Sequence, residues 1–473
     1  VNATRWNRRE VLGGVLAAGA LSGAPFRPSL AQQRAGAMTE RSELLIRNAH
    51  VLTMDAAVGD IAGGDVHVRG GAVAAVGRGL SAPGAQVIDG AGMLVLPGFV
   101  ETHWHIWTAL LRSLAGDRQE HGYFPTSRTI GTFYSAEDMY AAGRLAAAEA
   151  INAGITFVHD WCHNVRAPDY AEAALRALSE SGIRARFSYG SPTAASNDVT
   201  IDLRDLRTLS ERWSDHANGG LLTLGLAWRG AASAATLQDY ALAKELGLPI
   251  SVHANNYESS AGGIQQLADR GLLSPGMQVI HAVWCTPSEI RALADNQVNV
   301  SVSPYSELRI GFGMPIAADL IKAGVTVGLS VDTTTLSGNA DMFAIMKAIQ
   351  NIENGRAKNE FQLTARRVLE LATIDGARSM GLGDRVGSLT PGKRADLIMV
   401  DTRALNLAVL TEPAHLLVEA AQPANVDTVI IDGRIVKRGG RLTSLEVGDI
   451  VDAAARASAA VRRRSGWSWP SQP

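Results

Sequence analysis

The sequence predicts an α/β protein: a (β/α)8 TIM-type barrel carrying a small β-sandwich domain built from both chain ends. Three observations lead there. Short apolar strands alternate with Ala/Leu-rich helical stretches through the middle of the chain. Strand-rich segments with Gly-rich turns lie on both sides of that region, and several central strands end in histidine or aspartate. A length of 473 residues exceeds one ordinary domain and suits a large barrel with an appended one. Hydrophobic residues make up 46% and charged residues 19%, as in a soluble globular protein with ample core. A net charge of −2 and a pI near 6.6 argue against a nucleic-acid or polybasic membrane partner.

The first element, residues 1–31, has the layout of a twin-arginine export signal. Arg8 and Arg9 precede an apolar Gly/Ala-rich run from Val11 to Ala24, and Ser29-Leu30-Ala31 offers small residues for a signal peptidase. The run is too short to span a bilayer comfortably, so no stable membrane anchor is expected. The expected location is periplasmic or extracellular. Cys162 and Cys285 are too few for a disulfide framework.

The sandwich follows in two parts, residues 43–96 and 389–442. Its strands are Leu44–Arg47, Val66–Arg69, Ala72–Val76 and Gln86–Ile88, then Asp396–Val400 and the run Val426–Val436. Residues 97–388 form the barrel, entered through a first strand read as Met93–Glu101. The other seven strands are Thr156–Asp160, Ala185–Tyr189, Leu222–Ala227, Pro249–His253, Gln278–His281, Asn299–Val302 and Thr326–Val331. Intervening helices include Ala136–Ala153, Tyr170–Ser181 and Thr236–Leu246; an open doubly wound sheet is the alternative architecture. Residues 446–466 read as one amphipathic helix, with Trp467 and Trp469 placed to pack back on the body.

In a barrel, chemistry gathers at the C-terminal strand ends. His103 and His105, at the end of the run Leu94–Trp107, point to one face of a strand and are poised to hold one divalent ion. His253, His281 and Asp332 end strands five, six and eight. Five groups of these types at one mouth make a metal site.

The quoted motifs resemble the amidohydrolase superfamily, in the branch of cytosine, guanine and methylthioadenosine deaminases and triazine hydrolases. The resemblance runs from Glu43 to Leu442 and includes Gly387-Ser-Leu-Thr-Pro-Gly-Lys-Arg-Ala-Asp396-Leu. It implies that His103, His105, His253 and Asp332 bind the metal, and that His281 hydrogen-bonds the attacking water or a polar substrate atom. It also implies a homo-oligomer. A bound divalent ion lowers the pKa of water from about 15.7 toward 7, with Asp332 placed to accept the proton and His281 to steady developing charge. Strands three and four carry no Lys, Asp, Glu or Cys to bridge a second ion, so one metal is expected. Zinc fits the ligand set; iron and manganese are not separated from it.

Two departures bear on the reaction. Related deaminases carry a glutamate three residues after the strand-five histidine, and here Asn256 stands in that place; an amide cannot shuttle a proton. After strand seven, relatives commonly read Pro-x-Ser-Asn, and this chain has Pro304-Tyr-Ser-Glu307. Glu307 is therefore expected to take over part of the acid–base work, the alternative being an ion pair with Arg309 or another basic group. Glu258 is a weaker candidate, expected on the solvent side of its loop.

Trp104, Trp107, Trp161, Trp228 and Trp284 fall at or just past strand ends, which points to an apolar or aromatic small-molecule substrate. Trp107, Trp161, Trp284 and Asn256 are the candidates for contacting it. Arg229 is read as positioning a carbonyl or carboxylate, or else as a structural salt bridge. His159 and His163 are taken as supporting or surface groups, with contact to the substrate the lesser reading. The expected activity is metal-dependent hydrolysis of an amide-, carbamate- or urea-like bond or of a substituted heterocycle. Deamination of a purine, pyrimidine or triazine ring is the runner-up, and an inactive metal- or ligand-binding protein the reading from another class.

Overall fold

A computed structural model describes residues 40–469. The predicted export signal lies outside the described residues. The chain first builds β1 (Leu44–Val51), β2 (Ile61–Arg69), β3 (Ala72–Gly77), β4 (Gln86–Asp89) and β5 (Met93–Pro97). The barrel strands follow as β6 (Phe99–Trp104), β7 (Ile155–Cys162), β8 (Arg184–Gly190), β9 (Leu222–Trp228), β10 (Ile250–Ala254), β11 (Gln278–His281), β12 (Asn299–Val302) and β13 (Val327–Leu329). The chain then returns with β14 (Leu397–Asp401), β15 (Val426–Ile431), β16 (Arg434–Arg438) and β17 (Arg441–Leu442).

The predicted sandwich is one hydrogen-bonded sheet of nine strands, in the order β17-β16-β15-β14-β5-β1-β2-β3, with β4 also paired to β1. Its two halves meet where β14 runs antiparallel to β5, from Leu397 opposite Pro97 to Asp401 opposite Met93. Alternate residues such as Leu44, Ile46, Val66, Val68, Leu397 and Met399 give it a core of its own. Arg184, at the start of β8, ties the barrel to this sheet. Its guanidinium grips Asp396 through two bonds of 2.6 and 3.0 Å, both side chains being buried.

The predicted first barrel strand, Met93–Glu101, is corrected to two strands in two sheets. β5 ends at Pro97 and β6 begins at Phe99, with Gly98 between them. A Cβ at Gly98 would stand 2.1 Å from the Thr156 side chain, so the close approach of that side chain requires glycine there.

Strands β6 to β13 pair in sequence order and in parallel, as eight βα units predict. The barrel closes through a parallel bridge between Trp104 and Asp332. Helices Ala136–Asn152, Pro168–Ser181 and Ala234–Glu245 lie where expected, the first opened by a Ser135–Asp138 capping box. The last helix, Val447–Ser465, braces the long connection after β6, where Ser458 Oγ donates to the Leu110 carbonyl at 2.9 Å. Trp467 and Trp469 pack on His121 of the same connection, with ring centroids 5.9 and 6.3 Å away. Both cysteines are free thiols. No helix among the described residues is long and apolar enough to cross a membrane.

Candidate metal centre and active site

The closing seam of the barrel is also where the candidate ligands meet. His103 accepts at its carbonyl from Asp332 N at 2.8 Å, and His105 N donates to the Asp332 carbonyl at 2.6 Å. Backbone pairing thus fixes two histidines against the carboxylate that follows the last strand. Glu101, fully buried, adds a second clasp. Its Oε1 accepts from His103 N at 2.9 Å and Val331 N at 3.1 Å, and its Oε2 from His159 N at 3.3 Å. Burial pushes this carboxyl up to about 8.

Side chains converge on the same point. His103 Nε2 lies 3.2 Å from His105 Nε2, and each lies 3.3 Å from Asp332 Oδ1. His103, His253, His281 and Asp332 each offer a ligand atom within 4.8 Å of the others. Burial, reinforced by the neighbouring imidazoles, holds His103, His105 and His253 well below the usual histidine range, so they are neutral lone-pair donors. His105 Nδ1 donates to the Trp161 carbonyl at 3.1 Å, leaving Nε2 as its donor to the centre. His103 Nδ1 has no partner among the described residues. Neutral imidazoles and one carboxylate packed this closely fit a divalent cation. His281, Ala282 and Asp332 all adopt left-handed backbone, with φ of 74, 54 and 60°. Such strain in non-glycine residues costs about 1–3 kcal/mol each and gathers at functional sites.

Glu307 occupies the first turn of the short helix Pro304–Arg309 and is fully buried. Its Oε1 accepts from Ser303 N at 2.8 Å and pairs with His281 Nδ1 at 3.0 Å. Its neighbour Arg309 turns instead to the Ala115 carbonyl. Glu307 therefore stands behind His281, leaving the histidine's Nε2 for the centre.

A cavity of about 310 Å³ opens over this cluster, lined among others by His105, His253, Trp161, His163, Asn256 and Tyr123. Asn255 shapes it from below. Its amide bonds Glu289 at 2.9 Å and accepts from Ile264 N, which anchors the loop after β10 and leaves Asn256 at the cavity wall. The Asn256 Oδ1 and Trp161 Nε1 are buried without a partner among the described residues, so both are available to a substrate. No Asp or Glu lines the cavity among the described residues.

The other sequence candidates are placed differently. Trp107 is 1% exposed and is not in the cavity wall; its ring packs on Tyr134, and its indole N–H points to His163 Nδ1 at 3.3 Å. Trp104 and Trp228 are also buried in the core. Trp284 is absent from the cavity wall; it is part-exposed and donates to the Phe312 carbonyl at 2.5 Å. Arg229 reaches the cavity wall, but its Nη atoms are taken by the Ser196 and Val199 carbonyls and by Asp239 at 3.1 Å. Of the two readings of Arg229, the geometry matches the salt bridge. Glu258 is absent from the cavity wall, and His159 is buried inside the barrel, bonded to Ser188 Oγ and the Thr102 carbonyl.

Sequence reasoning placed His163 among supporting or surface groups, and missed several others. His163 stacks edge-on to His105 at 4.2 Å and lines the cavity. Tyr123 and Arg128 reach the wall from the helix Tyr123–Gly131, which carries no motif. Burial and the Asp332 charge raise the Tyr123 phenol well above its usual range, and Thr333 hydrogen-bonds it. Glu101 had a legible signal, since it lies two residues before His103 on the same strand face.

Comparison with known proteins gives a consistent picture. The profile of the amidohydrolase family matches residues 94–436. A 5'-deoxyadenosine deaminase from Methanothermobacter thermautotrophicus is 30% identical over 439 residues, covering 89% of this chain and 99% of that protein. A 5-methylthioadenosine/S-adenosylhomocysteine deaminase from Desulforamulus reducens is 30% identical over 424 residues, covering 84% and 93%. Among solved structures, an adenosine deaminase from Xanthomonas campestris with bound zinc superposes with a TM-score of 0.81 at 24% identity, covering 90% of this chain and all of that one. An atrazine chlorohydrolase from Arthrobacter aurescens, in complex with zinc, gives 0.79 at 21% identity, covering 88% of this chain and 100% of the other. At these identities the structural matches speak for the fold.

Proposed function

The chain belongs to the amidohydrolase family and is a metal-dependent hydrolase of carbon–nitrogen bonds in small molecules, and we propose that its substrate is an apolar or aromatic amide, carbamate or urea, or a substituted heterocycle. One observation carries this reading. The cavity wall offers an amide, Asn256, where a ring deaminase needs a carboxylic acid, and among the described residues no lining carboxylate replaces it.

His103, His105, His253 and Asp332 would hold the ion, which we take to be zinc. When bound, such an ion makes hydroxide available near neutral pH by acidifying a water. Asp332 supplies the one carboxylate of the cluster and is the natural proton acceptor there. His281, its ring fixed by Glu307, presents Nε2 to the oxygen or nitrogen where charge develops. Asn256 and the Trp161 indole N–H orient polar substrate atoms, while the Trp161 ring and Phe124 supply apolar wall.

Deamination of an aminated ring is the second reading, favoured by relatives named as deaminases that match over nearly their whole length. A panel of amides, carbamates, ureas and aminated heterocycles, run with metal-replete protein and a His103→Ala control, separates the two. Turnover of the first three classes without ammonia release from a ring supports the proposal. Ammonia release from an aminated heterocycle at the highest kcat/KM overturns it in favour of the second. Assembly as a homo-oligomer and export through residues 1–31 are further proposals, resting on the family resemblance and the Arg8-Arg9 motif.

A further inference from the structure

We propose that the floor of the barrel, at the end opposite the metal centre, is a binding site for a small oxyanion. The cavity there has a volume of about 360 Å³. Its walls come from the loops that lead into β10 and β11, at Gly247–Ile250 and Ser274–Met277, and from Met380 and Gly381. Because all barrel strands are parallel, their starting ends share this face, away from His253 and His281.

Arg186, the third residue of β8, also lines the cavity while being only 8% exposed. Its Nη2 donates to the Met380 carbonyl at 2.7 Å, and its Nε has no acceptor among the described residues. No carboxylate lies within ion-pair distance of it among the described residues, in contrast to Arg184 two residues earlier, which holds Asp396. With burial alone acting on it, the guanidinium is drawn down to about 10; His159 nearby is lowered by its own burial first and by the Arg186 charge second. A buried cation without a counter-charge is costly, and the forked guanidinium matches a planar or tetrahedral oxyanion through paired N–H bonds.

The surroundings make room for such a ligand. Gly225 on the neighbouring strand clears the Arg186 stem: a Cβ there would lie 3.2 Å from Arg186 Cδ and 3.1 Å from the Pro249 carbonyl. A Cβ added at Gly247 or Gly276 would meet nothing within 4 Å, so both of these lining loops border open space. Lys244, exposed and without an ion-pair partner among the described residues, adds a second positive charge at the rim. An anion entering here meets the buried Arg186 side chain in the wall and the solvated charge of Lys244. Phosphate and small carboxylates share the required chemistry.

The test is thermal unfolding of the full-length, metal-replete protein in increasing inorganic phosphate, and separately in acetate, at an ionic strength held constant with sodium chloride. We expect a saturable rise in Tm of about 2–4 °C with at least one of the two. Arg186→Met should abolish the rise, while any phosphate inhibition exerted at the metal centre persists in that variant. Lys244→Glu, a change at an exposed position, should weaken the apparent affinity roughly tenfold. No rise beyond chloride, an equal rise in Arg186→Met, or an unchanged affinity in Lys244→Glu would each overturn the proposal.

Discussion

Replacing Glu307 by glutamine isolates the carboxylate that stands behind His281. The side chain is fully buried, and one oxygen serves both Ser303 N at 2.8 Å and His281 Nδ1 at 3.0 Å. Glutamine keeps the volume and, with its oxygen in the same place, keeps both bonds without their charge. A hydrogen bond to a charged group contributes about 1.5–3 kcal/mol and a neutral one about 0.5–1.5 kcal/mol. The difference of roughly 1–2 kcal/mol corresponds to a loss of about 5- to 30-fold in rate. Glu307→Ala removes the partner altogether and should cost roughly 10- to 100-fold. The assay is steady-state turnover of the best substrate from the panel, with metal content and Tm measured on the same preparations. The loss should fall on kcat, with KM and metal content close to wild type, because Glu307 orients a group that acts on the reacting bond. Activity within about twofold of wild type in both variants, or a loss that simply follows metal content and Tm, would refute this reasoning.

Three other outcomes follow from the same geometry. Asn256→Glu returns a proton carrier to the cavity wall, and should raise ammonia release from an aminated heterocycle relative to amide cleavage by about tenfold or more; an unchanged ratio in paired assays would contradict the role given to Asn256. Glu101→Gln leaves at least one of three buried N–H groups at the seam without an acceptor, and should destabilise the fold by roughly 1–3 kcal/mol in urea unfolding. A change below about 0.5 kcal/mol would remove Glu101 from the seam. Lys437 is buried with its ammonium on the Asn152 carbonyl, and burial lowers it to about 8. A lysine depressed in the folded state binds its proton less tightly there than when unfolded. Wild type should therefore gain stability relative to Lys437→Met, by roughly 1–2 kcal/mol, as pH rises from about 8 toward 10.4. A wild-type-minus-variant difference that is flat over that window would count against it.

The sequence made the barrel legible because each βα unit repeats a local pattern, a short apolar strand and an amphipathic helix. It failed at Met93–Glu101 because both β5 and β6 are buried on both faces, so no change of periodicity marks the passage between sheets. The metal cluster was readable for a similar reason. Strand ends share one face of a barrel, so His103, His105, His253, His281 and Asp332 could be placed together without knowing their distances. Partners that depend on packing across the mouth were not readable. Glu307 meets a histidine 26 residues away on the adjoining strand, not its neighbour Arg309. Tryptophans at strand ends look alike in sequence, yet Trp161 faces the cavity while Trp107 and Trp228 fill the core, where Trp228 finds the Thr236 carbonyl for its N–H at 2.7 Å.

The central claim is a hydrolase built around one metal ion held by the closing seam of the barrel. Titrating metal-free protein with zinc while following turnover and bound metal tests it most directly. Activity should saturate near one equivalent per chain, and His253→Ala should lose both the bound metal and the turnover. Saturation near two equivalents, or full turnover in the metal-free protein, would contradict the account.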